Sequence, residues 1–507
     1  MLNKKSDRPQ ILVSLNSSYV PTGQCDCDGG DCACDLSPLA ELSSDMRLSL
    51  GMSETEFVRV PNSQMMNLDN TYSICYGTHH QAAVLNKSAL YLLDKFTIPQ
   101  KLDDIVIEDF HLEPTDLQTA IGELYQARLI APKNNCSLNL NEMPETLTAW
   151  LHITDRCNLR CDYCYLPHLA KDMSIDIGRA AIESTFRSAT LNSYRRVKLK
   201  YAGGEALLCS PLIKDLHLYA QSLSKQTDIL LDGVVLSNGT LITPEMIEML
   251  QTLNLRLMIS LDGLANFHNI QRSYASGKGS FQDVERGIKI ALENGLTPDI
   301  SITVSGRNAE GLPELLEWIL EYNLPFSLNF YRENELSASY EDLQLEESRV
   351  IEGMLAAFKI IELKLPNRSL LGSLIDRANL SSPHKRTCGV GQSYLVFDYK
   401  GQIAKCQMQL HKTVSSVDIQ DPLTVVRQDK VGIQNLSVEE KEGCRTCKWK
   451  YWCTGGCPLA TFKATGRYDI QSPNCNIYKA LYPEALRLEG LRLLKHSGSR
   501  MGEVQKK

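Results

Sequence analysis

The stretch Thr148-Ala-Trp-Leu-His-Ile-Thr154 runs through Asp155 and Arg156 into Cys157-Asn-Leu-Arg-Cys161-Asp-Tyr-Cys164, and its reading decides the fold. An apolar run rich in strand formers ends on three cysteines spaced C-x3-C-x2-C, so the thiols sit on a loop leaving a strand end. Thiolates bind iron, and this close spacing lets one loop supply three ligands of an iron–sulfur cubane while one iron stays open. A zinc knuckle is the alternative, with His152 or His168 as fourth ligand. A strand leading into a long series of strand–helix units is a poor setting for one.

Outward from the triplet, strands and helices alternate from Leu147 to about Leu365. Strands are predicted near Thr148–Thr154, Arg196–Ala202, Ile229–Leu236, Leu255–Ser260, Asp299–Val304 and Phe326–Tyr331. Helix-period segments follow each one, at Ile175–Ser188, Pro211–Leu223, Pro244–Leu253, Phe281–Glu293, Leu312–Tyr322 and Leu345–Leu363. Thr243 before Pro244 is a good helix start, because a capping oxygen precedes a residue with no N–H to satisfy. Six such units imply parallel strands with right-handed crossovers, and six are too few for a closed eight-stranded barrel. The expected fold is therefore α/β, a partial (β/α)6 barrel over residues 147–365 with ligands at the carboxyl ends of its strands.

The flanks differ in kind. Residues 1–45 lack periodicity and carry Cys25-Asp-Cys-Asp-Gly-Gly-Asp-Cys-Ala-Cys34, a flexible tail whose spacing could bind a metal. Residues 46–140 read as a small winged-helix unit. Its strands are Tyr72–Tyr76 and His80–Leu85, and its helices Ala89–Phe96 and Asp116–Tyr125, the latter capped by Thr115 after Pro114. The alternative is an accessory packing domain. Residues 376–485 are cysteine-rich and poor in long periodic segments, as expected where metal ligation substitutes for an apolar core. Residues 486–507 read as a basic tail, a solvated helix that frays, with Arg487, Arg492, Lys495 and Arg500.

Composition narrows the class. At 507 residues the chain is too long for one compact core. A net charge of −7 does not support a general nucleic-acid binder. No apolar run reaches the roughly 18 residues of a membrane span, and the start through Leu15 is too short and polar for a signal peptide. A cytoplasmic location is expected. In such a chain 17 cysteines read as metal or redox sites, with buried thiols the plainer reading for Cys75, Cys136 and Cys209.

Cys157-Asn-Leu-Arg-Cys161-Asp-Tyr163-Cys164 resembles the signature of the radical S-adenosylmethionine (radical SAM) superfamily, C-x3-C-x-aromatic-C. Tyr201-Ala-Gly203-Gly204-Glu205, closing the second strand, resembles the motif that binds the methionine amino group. Glycines permit close backbone approach, and a carboxylate suits an ammonium. Ser237 and Asn238 end the third strand, and Ser260 and Asp262 the fourth, where that family contacts ribose and methionine. His268, Arg272 and Gly277–Phe281 continue the pattern, with Arg272 suited to the SAM carboxylate. Individually these polar residues could be loop caps and turn formers. The resemblance implies a [4Fe–4S] cluster that cleaves SAM to a 5′-deoxyadenosyl radical, which abstracts hydrogen from an unactivated C–H bond.

Downstream, Cys388-x12-Gly401-x4-Cys406 is followed by Cys444-x2-Cys447-x5-Cys453-x3-Cys457 and then Cys475. This is similar to the SPASM domain over its whole length. Two zinc sites, or one zinc with spare thiols, remain the alternative. The resemblance implies two auxiliary [4Fe–4S] clusters, three clusters in all. Cys388, Cys406 and Cys457 would serve the first, and Cys444, Cys447, Cys453 and Cys475 the second. Ser382 stands where some relatives supply a further cysteine, so the first has an open iron or borrows a distant thiol such as Cys209 or one from Cys25–Cys34.

Enzymes of this kind act largely on peptides and proteins, and the N-terminal unit resembles the PqqD-like precursor-recognition domain of ribosomal-peptide maturases. The implied partners are a precursor peptide, whose leader adds as a strand, and an electron donor such as flavodoxin or ferredoxin. Crosslinking, thioether and backbone-splicing chemistry all stay open. A sulfatase-maturating protein oxidase is the runner-up, weakened because Gln407 occupies the place of that family's aspartate base. A non-catalytic peptide-binding or metal-storage iron–sulfur protein is a third reading. No nucleic-acid or membrane partner is expected.

Overall fold

Strand β1 (Thr146–Thr154) alternates cleanly: Leu147, Ala149, Leu151 and Ile153 are fully buried against the helices, while Trp150 and His152 lie on the opposite, inner face. The same two-residue period recurs in β2 (Arg196–Gly203), where Val197, Leu199 and Tyr201 join that helix-side core. With β3 (Leu230–Ser237), β4 (Arg256–Ser260), β5 (Asp299–Val304) and β6 (Phe326–Phe330), these form a parallel sheet whose neighbours follow chain order. Trp150 is in register with Lys200 and His152 with Ala202. Thr243 caps its helix as expected, its side chain accepting from Met246 N at 3.3 Å ahead of Pro244. The six strand–helix units are those predicted, with boundaries shifted by a few residues at most.

This computed structural model describes residues 8–13, 55–61, 64–76, 82–105, 114–135, 140, 144–380 and 383–504. Cys25–Cys34, Cys136 and Ser382 lie outside the described residues.

The barrel sheet does not stop at β1. β7 (Tyr394–Phe397) pairs parallel with β1, and β8 (Gln402–Ala404) and β9 (Thr413–Ser416) continue antiparallel, giving nine strands. The cysteine-rich segment thus begins as an extension of the barrel, a pairing across more than 240 residues of sequence that local pattern does not reveal.

Three expectations for the flanks are corrected. Ile11–Val13, placed in the flexible tail, is a strand antiparallel to Ala82–Asn86. Asn86 secures it, accepting from Gln10 N at 3.0 Å and donating to Arg8 O at 2.7 Å while also capping the helix Lys87–Lys95. The next helix begins at Pro114, so Thr115 lies inside its first turn and does not cap it. The C-terminal segment is helical as expected but not solvated, because the helix Cys475–Val504 packs on Glu347–Lys364. Arg487 pairs with Glu362, Arg492 is buried with Glu489 at 2.6 Å and donates to Asn367 O, and Lys495 donates to Lys364 O. Burying guanidiniums requires such partners, and the helix face supplies them.

The N-terminal unit has its own core of Phe57, Leu92, Leu93, Phe96, Leu117, Ile121 and Leu124. Its four-stranded sheet runs Ile11–Val13, Ala82–Asn86, Tyr72–Tyr76, Gln64–Asn67. The far face of that sheet, through Ile74, Tyr76 and Val84, joins the main core. Tyr76 stacks on Trp449 with ring centroids 5.6 Å apart.

Candidate functional site

The cysteine triplet occupies the loop after β1, and a short ribbon holds it there. Leu159–Cys161 pairs antiparallel with Arg272–Tyr274, which brings Arg272 opposite Cys161. Sequence pattern gave no sign of this ribbon, because both strands are three residues long. Burial pushes the Cys157 thiol to about 11 and Cys161 to about 12. The metal-free triplet is thus a set of neutral thiols, from which iron must displace protons. His152, a candidate fourth zinc ligand, has its Nε2 2.6 Å from Asp155 Oδ1 and its Nδ1 without a partner among the described residues.

The end of β2 is laid directly on the triplet loop. Gly204 N donates to Thr154 O at 2.7 Å and Glu205 N to Arg156 O at 2.8 Å. A Cβ on Gly203 would stand 2.3 Å from Thr154 O, and one on Gly204 2.3 Å from Arg156 O, so only glycine fits either place. Glu205 is fully buried, and burial raises its carboxyl above the usual range. It accepts from Leu207 N, Ser237 Oγ and Asn238 N at 3.0, 2.9 and 2.6 Å. A carboxylate has about four acceptor sites, so one is left for an ammonium. Asn238 Nδ2 lies 2.8 Å from Asn158 Oδ1 and 3.8 Å from Cys157 Sγ. The glycine motif, Ser237 and Asn238 therefore meet at the triplet. Ser260 ends β4, paired with Ser301.

Asp262 and Arg272 are joined through Tyr163. The Asp262 carboxylate accepts from Tyr163 Oη at 2.6 Å and Thr303 N at 2.8 Å, with Arg272 Nη1 3.6 Å away. Arg272 also donates to Tyr163 Oη, while its buried Nε has no partner among the described residues. Asp262 thus braces Tyr163 and Arg272 on the Nη1 side, and the Nε of Arg272 is left to meet a ligand. His268 is buried against Ser280 Oγ at 3.0 Å, where burial holds it well below its usual range. Residues not singled out from sequence close the mouth. Arg307 ties Asp162 to Asp342, and Asn334 Nδ2 donates to Tyr163 O at 2.9 Å.

The downstream cysteines fall into two sets. Cys388 and Cys406 are buried and neighbour Cys457, packed with Trp150 and Ala202 on the inner face of the barrel sheet. Cys209 is not among them but lies against Arg156 and Asp172. Cys444, Cys447, Cys453 and Cys475 line one cavity with Trp449, Tyr478 and Tyr482. Burial pushes both Cys406 and Cys444 to about 12. Among the described residues no three His, Cys, Asp or Glu converge to hold a single metal ion. In a cubane each thiolate sits on a separate iron, and sets of three, three and four cysteines fit such clusters. Gln407, buried beside Cys406, lies 3.1 Å from Tyr394 Oη. No helix among the described residues is long and apolar enough to cross a membrane.

Residues 151–319 match the model of the Radical SAM superfamily, which implies SAM and a [4Fe–4S] cluster for this domain. An uncharacterised protein of Methanocaldococcus jannaschii is 30% identical over 34% of this chain, and the match spans 58% of that relative's length. The Fe-coproporphyrin III synthase of Methanosarcina barkeri is 24% identical over 68% of this chain and 90% of its own. The serine-type anaerobic sulfatase-maturating enzyme of Bacteroides thetaiotaomicron is 23% identical over 61% and 81%. Among solved structures, native anSMEcpe with bound AdoMet and Cp18Cys peptide superposes with a TM-score of 0.57 at 18% identity. It covers 68% of this chain and 99% of that one, and so shares the fold.

Proposed function

We propose that this chain is a radical SAM enzyme that modifies a ribosomally made precursor peptide, with three [4Fe–4S] clusters. The observation that carries the radical chemistry is the hydrogen bonding of Gly204 and Glu205 to Thr154 and Arg156 at the head of the triplet loop, with Asn238 beside the Cys157 thiol. Cys157, Cys161 and Cys164 would hold the SAM cluster, which supplies the one-electron cleavage that makes the 5′-deoxyadenosyl radical. Gly203 and Gly204 let the ligand lie against bare backbone. Glu205 offers its remaining acceptor site to the methionine ammonium, and Arg272 Nε faces the methionine carboxylate. Ser237, Asn238 and Ser260 border the nucleoside, while Tyr163, braced by Asp262, keeps Arg272 in place.

Support for a peptide comes from the N-terminal unit. Its edge strand Gln64–Asn67 has one neighbour among the described residues and exposes Met65, a setting suited to strand addition. The relative named for sulfatase maturation also acts, by its name, on a protein. That match favours a sulfatase-type oxidation as second reading, against which Gln407 stands where a base is needed. The match to Fe-coproporphyrin III synthase favours a tetrapyrrole substrate instead, and incubation with Fe-coproporphyrin III distinguishes it.

Anaerobic reconstitution with iron, sulfide, SAM and dithionite, dithionite standing in for a flavodoxin or ferredoxin donor, is expected to yield 5′-deoxyadenosine and about twelve irons per chain. No 5′-deoxyadenosine would remove the enzyme reading and leave a peptide-binding iron–sulfur protein. About four irons would remove the auxiliary clusters. Binding of a leader peptide that survives deletion of residues 46–140 would remove the recognition-domain assignment.

A further inference from the structure

The two auxiliary cysteine sets sit in unequal fields. Arg332 leaves the end of β6, donates to Phe330 O at 2.9 Å and pairs with Asp376 at 2.6 Å, and its side chain is 11% exposed. Arg377 is buried beside it. Both guanidiniums neighbour the Cys457 sulfur, and Arg377 also neighbours Cys388 and Cys406. Asp376, held also by Tyr478 Oη at 3.2 Å, offsets one of the two charges. Asn435 Nδ2 adds a donor 3.7 Å from Cys388 Sγ.

The four-cysteine set has no comparable pair among the described residues. Its cationic neighbours are lysines: Lys479, which is exposed, Lys450, whose ammonium is turned to Arg445 O at 3.2 Å, and Lys441. Lys441 is buried, donates to Thr454 O at 2.7 Å and faces cysteines of both sets, so it does not distinguish them.

Resting on the cluster assignment above, we propose that Arg332 and Arg377 make the Cys388/Cys406/Cys457 site the more oxidising auxiliary site, the one that accepts the electron released when the substrate radical closes to product. Adding an electron makes a cluster more negative. A fixed buried cation and donors to the sulfurs therefore favour the reduced state. In the step the substrate radical loses one electron to the cluster, which passes from 2+ to 1+, and one proton to solvent. Arg332 and Arg377 set the acceptor's potential without touching substrate, and are positioning residues. The site packs on the inner barrel face through Trp150 and Ala202, where a substrate radical would form.

The test is an EPR-monitored redox titration of the reconstituted holoprotein. Arg332→Gln and Arg377→Gln are expected to lower one auxiliary midpoint enough to change the reduced-to-oxidised ratio about tenfold at fixed potential, about 59 mV for one electron. The other two clusters should stay in place, and Arg332→Lys should keep most of the wild-type value. Unmoved midpoints at about twelve irons, or equal shifts in all three clusters, would overturn the proposal. So would loss of iron from both Gln variants, which assigns the arginines to cluster retention. The iron count and 5′-deoxyadenosine yield report separately on the underlying function.

Discussion

The barrel and the segment Val438–Cys475 both carry cysteine sets, and they hold them by opposite means. In the barrel, Leu147, Ala149, Leu151 and Ile153 of one strand are fully buried, and the triplet loop hangs from that frame by backbone hydrogen bonds. Leu147, Leu151 and Ile153 contribute about 2 kcal/mol each, so the frame is expected to stand without metal. Val438–Cys475 contains only a 3-10 turn at Val438–Glu440, a single turn at Lys450–Cys453 and the helix Pro458–Thr465. Five of its residues, Gly443, Thr454, Gly455, Gly456 and Gly466, have positive φ. Its cavity is walled by four cysteines and by rings borrowed from the C-terminal helix. The strand frame places the barrel's cluster ligands, whereas Val438–Cys475 has only short regular elements anchored through Trp449 and Trp452, so metal ligation is expected to contribute more to its order.

The sharpest way to break this contrast is to withhold iron. In the metal-free protein, amide exchange across Val438–Cys475 is expected to approach the rate of a free chain, while β1–β5 keep protection close to the holoprotein. Equal protection in both regions would end the distinction. A single-site version follows. Cys157→Ala should abolish 5′-deoxyadenosine formation with the melting temperature nearly unchanged, whereas Cys453→Ala should lower the melting temperature of the holoprotein.

The next effect concerns two glycines. A Cβ on Gly204 meets Arg156 O at 2.3 Å and Cys157 Cβ at 2.9 Å, both on the rigid frame. Gly204→Ala is expected to cost about 3 kcal/mol and to weaken SAM binding in calorimetry, since the backbone must part from the triplet loop. Gly466 has open space around its missing Cβ and φ of 70°, so Gly466→Ala should cost only about 1 kcal/mol through backbone strain. If the order of the two reverses in denaturant titration, the frame is softer than the cysteine-rich segment.

Much of this architecture is legible in the sequence where the signal is local. Six strand–helix units show through alternation of period 2 and 3.6, and the cysteine sets through their spacing. What escapes is long-range. Ile11–Val13 is too short to read as a strand, and its partner Ala82–Asn86 lies some seventy residues on. β7 joins β1 across the whole barrel. The bond of Arg272 to Tyr163 and its approach to Asp262 appear only once three loops converge. Arg332 and Arg377 carry no motif at all, and only folding brings them to Cys457.

The smallest effect probes the frame from its outer face. His217 is buried with Nδ1 3.1 Å from Tyr201 Oη, and Gly233 leaves room for its ring, where a Cβ would stand 2.7 Å from Cε1. Burial lowers its pKa from 6.5 to about 4. A group depressed in the folded state binds its proton more readily when unfolded, so its contribution is fully present above pH 6.5 and is lost as the pH falls toward 4. The loss is on the order of 3 kcal/mol. His217→Gln should therefore flatten the acid limb of barrel stability over that window, measured by denaturant midpoint from pH 7 to 4. Because the cysteine-rich segment contains no histidine between Val438 and Cys475, its own acid sensitivity should instead follow cluster loss and be unchanged by the substitution. A parallel flattening in both regions would show that they unfold as one unit.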